Sequence, residues 1–458
     1  MELRFERALL PCGIVSRVLI EVDGDGRIAR VATGGDAGDG PFVPGLALPG
    51  MPNLHSHAFQ RAMAGSAEVR AAGEGSFWGW RDVMYRFVER LAPEDVAAIS
   101  AFAYLEMVEA GYTAVAEFHY LHHAPGGAAY EPVTTLADAV RSGARATGIR
   151  HLLLPTLYQQ GNFDGRPLAE AQRRFHHDTD AFLDLTARLS HGDDARLSTG
   201  VALHSLRAVP ATALAAVAAE AARAARRWPV HIHVAEQSRE VVDCIGAHGR
   251  RPVAQLLSTG LVDARWCLVH ATHVDAAELA GIAASGAVVG LCPTTEGNLG
   301  DGRFPLDEFL AAGGRYGIGS DSHVSVDPRE ELRLAEYNVR IWREKRVLAA
   351  SATLPNVGAA MWTDAVAGGA RALGFNAAGL APGAPADVIL VDTGRPEFAG
   401  VAPDALLDAW VFAPRPSPVH AVWVGGELAV IGGRHRHRAG IEEAYRSALA
   451  RLHAAGVR

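Results

Sequence analysis

Eight short apolar runs, each followed by a longer stretch, occupy about residues 47 to 350 and limit the possible folds most strongly. The runs lie at 46–54, 113–120, 150–158, 197–206, 229–236, 266–272, 287–293 and 315–321. Between them lie alanine-rich stretches of helical period, such as 93–110 and 210–227. Strand–helix repetition on this scale predicts parallel strands with crossover helices. Eight such units over roughly 270 to 300 residues fit an α/β chain folded as a closed (β/α)8 TIM-like barrel. An open doubly wound sheet usually carries a glycine-rich phosphate turn after its first strand, and here that place holds His55 and His57.

The ends read differently. Residues 1–45 alternate apolar and polar with Gly-Asp turns, as in 18–31, and 384–433 does the same at 388–391 and 419–430. Two β segments flanking a barrel predict one small β-sandwich domain built from both termini, at 1–48 and 376–436. The barrel then spans 49–375 and a C-terminal helix lies within 437–458. A helical segment at 354–373 leads from the barrel to the second half of the sandwich.

Composition narrows the function. The 458 residues suffice for a large core with a satellite domain. A net charge of −8 argues against nucleic-acid partners, which require a basic footprint, yet leaves room for a small anionic substrate in one basic pocket. The N-terminus has no apolar signal core, and no apolar run approaches the ~20 residues that span a bilayer. A cytoplasmic protein without membrane partners is expected. The four cysteines form no C-x-x-C pair and read as buried, reduced thiols. Arginine supplies nearly all positive charge, and Lys345 is the only lysine.

The chemistry sits at the strand ends. Asn53-Leu54-His55-Ser56-His57 closes the first run. Residues two apart in a strand point to one side, so His55 and His57 can offer two imidazoles to one ion. An isolated H-x-H is weak, since His122-His123 and His176-His177 also occur. The fifth run ends His231-Ile232-His233-Val234-Ala235-Glu236, the sixth ends at His270, and the eighth ends Asp321-Ser322-His323. Barrel active sites form at the C-terminal strand ends, where these residues converge. Gln60 and Arg81 after the first run, Tyr120 after the second, and His204 and Arg207 after the fourth complete the polar set. Guanidinium groups bind carboxylates bidentately, so two arginines in one pocket suit a substrate with carboxylates. Taken singly, each is an ordinary scaffold or surface residue, and the aromatic stretch Phe77-Trp78-Gly79-Trp80-Arg81 also fits a lid.

On these residues the chain resembles the amidohydrolase superfamily along almost its whole length. The resemblance implies that His55, His57, His233 and Asp321 hold metal, with His270 beside the metal-activated water; His231 is left as structural. Many members bind two metals bridged by a carboxylated lysine on strand four. That strand has no lysine here, so one divalent metal ion per chain is expected, and zinc suits three imidazoles and a carboxylate. The H-x-x-E of His233 and Glu236 matches the superfamily's deaminases. A carboxyl group near the metal can carry protons from water to the leaving nitrogen; a helix N-terminal glutamate would look the same in sequence. Glu236, His270 and Asp321 are thus the expected catalytic residues.

The segments 54–61, 117–122, 204–209, 231–237 and 319–325 are further similar to the formimidoylglutamate deiminase family. That resemblance implies hydrolysis of N-formimidoyl-L-glutamate to N-formyl-L-glutamate and ammonia in histidine degradation. It also implies substrate binding by Gln60, Arg81, Tyr120, His204 and Arg207, and a homodimer. The rival readings are a single-metal deaminase of guanine-like or S-adenosylhomocysteine-like substrates, with a flatter aromatic pocket, and a non-catalytic binding protein on the same barrel.

Overall fold

The computed structural model describes residues 1–68, 77–413 and 419–454. Eight parallel strands close into a barrel. They are β1 (Met51–Ser56), β2 (Tyr112–His119), β3 (Arg150–Leu157), β4 (Val201–Ser205), β5 (Val230–Val234), β6 (Trp266–His270), β7 (Val288–Leu291) and β8 (Arg315–Ile318). The ring closes where Ile318 pairs with Asn53 and Ser56 bridges to Asp321. Every residue of β1, β2 and β3 is buried, as expected of parallel strands covered on both faces.

Crossover helices fall where the apolar period placed them. The helix Pro93–Ala110 starts with proline at its first turn, where no amide partner is lost, and stops at the left-handed Gly111. The 210–227 stretch forms Ala211–Arg223, and 354–373 forms Val357–Ala372.

Both termini build one eight-stranded sheet whose hydrogen bonding runs from Arg434–His435 through Val388–Val391 and Val43–Pro49 to Ile28–Thr33. Asp387 ties this sheet to the barrel floor. Its carboxylate accepts from Arg150 Nε at 3.0–3.1 Å and from Gly425 N–H at 2.7 Å, and its carbonyl accepts from Gly50 N–H at 2.9 Å. The last helix, Arg438–Ala454, docks on Pro93–Ala110 by stacking Tyr445 on Phe102, with ring centres 4.1 Å apart. Among the described residues, no helix is long and apolar enough to cross a membrane.

Two expectations need correction. The single run at 46–54 is two strands, Val43–Pro49 in the terminal sheet and β1 in the barrel, joined at Gly50. A Cβ at Gly50 would sit 2.2 Å from the Thr113 hydroxyl, so a glycine lets the chain pass between sheets. The apolar run is continuous because both strands are buried, and hydropathy does not reveal a change of partner. Cys12 is exposed in the turn after Glu2–Leu10; the other three cysteines are buried and none is bridged.

Candidate active site

The C-terminal ends of β1, β5, β6 and β8 meet in one buried cluster. Nε2 of His55 lies 3.0 Å from Nε2 of His233, and Asp321 Oδ1 lies 3.6 Å from Nε2 of both His55 and His57. The far nitrogens of two rings are already used: His57 Nδ1–H donates to the Phe118 carbonyl and His233 Nδ1–H to the His204 carbonyl, each at 3.0 Å. Their Nε2 lone pairs therefore face the cluster centre, the orientation that a carbonyl accepting the other ring N–H imposes on a metal-binding imidazole. Tetrahedral ligands at 2.0–2.1 Å from an ion lie about 3.3 Å apart, close to the measured spacings. The donor set thus fits a divalent ion.

Electrostatics agree with that fit. Burial first, then the neighbouring imidazoles, holds His55 and His233 well below the usual histidine range. Burial pushes His57 down to about 3. All three rings are neutral near pH 7. Burial raises Asp321 to about 7, so a cation would favour its ionised form.

Local backbone explains how these side chains are aimed. Ala235, His270, Ala271, Asp321 and His323 all have positive φ, although none is glycine. They sit at or just beyond the ends of β5, β6 and β8, where strained conformations turn side chains out of the strand direction. The pairing of β8 with β1 adds register: Asp321 N–H donates to the His55 carbonyl at 3.0 Å, and His57 N–H to the Asp321 carbonyl at 3.1 Å.

Glu236 and His270 face each other beside the cluster, with Oε1 and Nε2 4.0 Å apart. His270 Nε2 also lies 3.7 Å from Asp321 Oδ2. Burial pulls His270 down, but the surrounding carboxylates Glu236, Glu296 and Asp321 outweigh it and push it up to about 10. The loop bearing Glu236 is held from below by Glu240, which accepts from Ala235 N–H at 3.1 Å and Glu236 N–H at 3.2 Å.

A cavity opens over this cluster and is lined by His57, His233, Glu236, His270 and Asp321 at its base. Its walls hold Gln60, Arg81, Tyr120, His204 and Arg207, so the substrate-binding candidates share one chamber with the metal candidates. His55 lies beneath it, fully buried. Gln60 Nε2–H donates to the Tyr120 hydroxyl at 2.9 Å. Arg81, on the helix Phe77–Val88, lies 5.5 Å from the Tyr85 ring centre. Arg207 Nε is buried and meets no acceptor among the described residues. Burial lowers His204 well below its ordinary range, and the fields of Arg207 and Arg81 add to this. The lid expected of the aromatic stretch rests partly on the side chains of Phe77 and Trp78, which lie outside the described residues; Trp80 and Arg81 are in the cavity wall.

His231 Nε2–H donates to the Ala372 carbonyl, 2.9 Å away, and takes no part in the cluster. His122 and His177 pack together, with ring centres 4.6 Å apart, and neither lines the cavity.

Several supporting residues escaped the sequence reading. Glu117 on β2 accepts from the Ser56 hydroxyl at 2.5 Å and Ala58 N–H at 2.7 Å, bracketing His57. Tyr85 and Tyr158 line the cavity. Glu296 accepts from His270 Nδ1 at 3.2 Å. The polar run 293–301 right after the seventh strand was the available signal for Glu296, because no candidate had been placed at that strand end.

Comparison with known proteins follows the same lines. The model of the amidohydrolase family matches residues 46–429. A formimidoylglutamate deiminase from Pseudomonas aeruginosa is 48% identical over 431 residues, covering 94% of each chain. A 5-methylthioadenosine/S-adenosylhomocysteine deaminase from Natronomonas pharaonis is 28% identical over 388 residues, 84% of this chain and 81% of that one. The crystal structure of an amidohydrolase from Brucella melitensis superposes with a TM-score of 0.93 at 42% identity, covering 98% of this chain and 99% of that one. A zinc-bound adenosine deaminase from Xanthomonas campestris shares the fold, with a TM-score of 0.81 at 22% identity over 99% and 98% of the two chains. The match over residues 46–429 and the close likeness along nearly the full length show that the chain belongs to the amidohydrolase family.

Proposed function

We propose that the protein hydrolyses N-formimidoyl-L-glutamate to N-formyl-L-glutamate and ammonia, using one divalent metal ion, zinc, per chain. One observation carries the reading: a single cavity has a histidine–aspartate cluster at its base and two arginines, Arg81 and Arg207, in its walls. An amidine-type carbon belongs at the cluster and the glutamate carboxylates at the guanidinium groups. The relative that is 48% identical supports the same substrate.

His55, His57, His233 and Asp321 would hold the ion. When bound, it would supply Lewis acidity and lower the pKa of water toward ≈ 7. The remaining steps belong to the protein. Arg81 and Arg207 bind the carboxylates, while Gln60, Tyr120 and His204 line the path between them and the cluster, which restricts the substrate to one orientation. Water oxygen adds to the amidine carbon, and the C=N bond becomes C–N. Glu236 takes a proton from the water oxygen and delivers it to the departing nitrogen. His270 orients the oxygen, and Asp321 accepts its remaining proton. A second transfer completes NH3, the C–N bond breaks, and the oxygen remains as the formyl group. The reading also retains a cytoplasmic homodimer acting on a small anionic substrate, without nucleic-acid or membrane partners. The net charge of −8 supports the exclusion of nucleic acid.

The direct test is ammonia release by metal-loaded protein with N-formimidoyl-L-glutamate beside guanine. Turnover of the first and none of the second is expected; preference for guanine would overturn the substrate while leaving the barrel chemistry in place. Metal content is a separate test. His55 stands 3.0 Å from His233, Asp321 stands 3.6 Å from both His55 and His57, and β4 has no lysine to bridge a pair of ions. Elemental analysis should find close to one tightly bound divalent ion per chain. Two ions per chain at full activity would defeat the single-metal site.

A further inference from the structure

We propose that Glu296 is the positioning residue for His270: its carboxylate fixes the proton on Nδ1 and so aims Nε2 at Glu236 and Asp321. The inference rests on the reading above, in which His270 handles protons. Glu296 lies on the helix Pro293–Leu299, just after β7, and is 3% exposed. One oxygen, Oε1, faces two groups. It accepts from the backbone N–H of Cys292 at 2.9 Å and stands 3.2 Å from His270 Nδ1. The Cys292 amide can only donate, so with the carboxylate ionised the imidazole donates as well. Nδ1 then carries the proton, and Nε2 is the nitrogen turned to Asp321 Oδ2 and Glu236 Oε1.

The platform beneath Glu296 is rigid. Thr294 donates through its N–H and hydroxyl to Glu331, at 2.9 and 2.5 Å. Ser322 N–H donates to the Thr295 hydroxyl at 3.3 Å, which joins this helix to the loop carrying Asp321. Glu296 is thus anchored to β7, to β8 and to its own helix start. An imidazole that must present one defined nitrogen gains from such a partner, because a ring free to change tautomer or flip loses that nitrogen part of the time.

Two substitutions separate orientation from charge. In Glu296→Gln the Cys292 N–H still requires an acceptor at Oε1, which holds the amide carbonyl, not its NH2, toward His270. Orientation survives and charge is lost. In Glu296→Leu both are lost. Glu296→Leu should lower kcat roughly 10- to 100-fold, the usual scale for a partner behind a first ligand, with KM and metal content nearly unchanged. Glu296→Gln should lose less than about tenfold. Because Glu296 acts through His270, adding Glu296→Leu to His270→Asn should cost almost nothing further, whereas a purely structural role would cost the same in both backgrounds. Nitrogen NMR of the wild type should show the His270 proton on Nδ1, with the signal assigned by its loss in His270→Asn.

A wild-type His270 with a bare Nδ1 and its proton on Nε2 alone overturns the proposal whatever the variants do, including a Glu296→Leu that does not fold. So does Glu296→Leu with kcat within about twofold of wild type, or an equal loss in the His270→Asn background. His270→Asn with wild-type turnover would instead remove His270 from the proposed reaction. A damaged His270→Asn beside an undamaged Glu296→Leu rejects only the role of Glu296.

Discussion

Glu236→Gln is expected to lower kcat by ~10² or more while leaving the metal content nearly intact, the scale for losing a group that carries protons in the rate-determining step. The substitution is nearly isosteric. Glu240 holds the backbone of Ala235 and Glu236, so the loop should keep its shape. Glu236 is not among the four candidate ligands and stands 4.0 Å from His270 Nε2. A carboxylate takes a proton from one atom and gives it to another; an amide does neither near neutral pH. The loss should therefore appear in kcat and kcat/KM alike, as for an interaction made only in the transition state. Steady-state ammonia release and elemental analysis on the same preparation check it. Near wild-type turnover would reject the proton-carrying role of Glu236.

Arg207→Met should lower kcat/KM with N-formimidoyl-L-glutamate by roughly 10- to 150-fold, with metal retained. A hydrogen bond to a charged group is worth about 1.5–3 kcal/mol, and Arg207 Nε is buried without an acceptor among the described residues. Part of the loss should fall on kcat, because binding energy at the remote carboxylates positions the reacting carbon. Formamidine derivatives lacking one carboxylate provide the control. They should be poor substrates of the wild type and much less sensitive to the substitution. The four measurements form a cycle in which general damage cancels and contact loss remains. Equal activity of Arg207→Met and wild type, or equal sensitivity of both substrates, would remove Arg207 from carboxylate binding.

Much of this site could be read from residue type and period alone. His55 and His57 are two apart at the end of a buried strand, and His233, His270 and Asp321 end three others, so strand period and barrel topology together brought them to one mouth. The helix Pro93–Ala110 was equally legible, with proline at its start and glycine just past its end. Gly50 was not. A strand leaving one sheet and a strand entering another are both apolar, and only the Thr113 side chain pressed against that glycine separates them. Tyr85 and Tyr158 were missed because an aromatic residue in a helix or strand looks the same whether it faces a core or a cavity.

The sequence by itself determined the architecture, the residue types that are candidates for metal binding and the absence of a bridging lysine, because these depend on local period and on which atoms the chain possesses. Tertiary structure decided which atoms face one another. Glu296 lies 26 positions beyond His270, and no periodicity relates them. They meet because neighbouring strands β6 and β7 end side by side and the helix after β7 turns one carboxylate back on its own first turn. Likewise, Phe118 and His204 contribute backbone carbonyls to the rings of His57 and His233, and every residue has such a carbonyl. Its direction is set by the packing of strands against one another, so it became visible only when the barrel was closed.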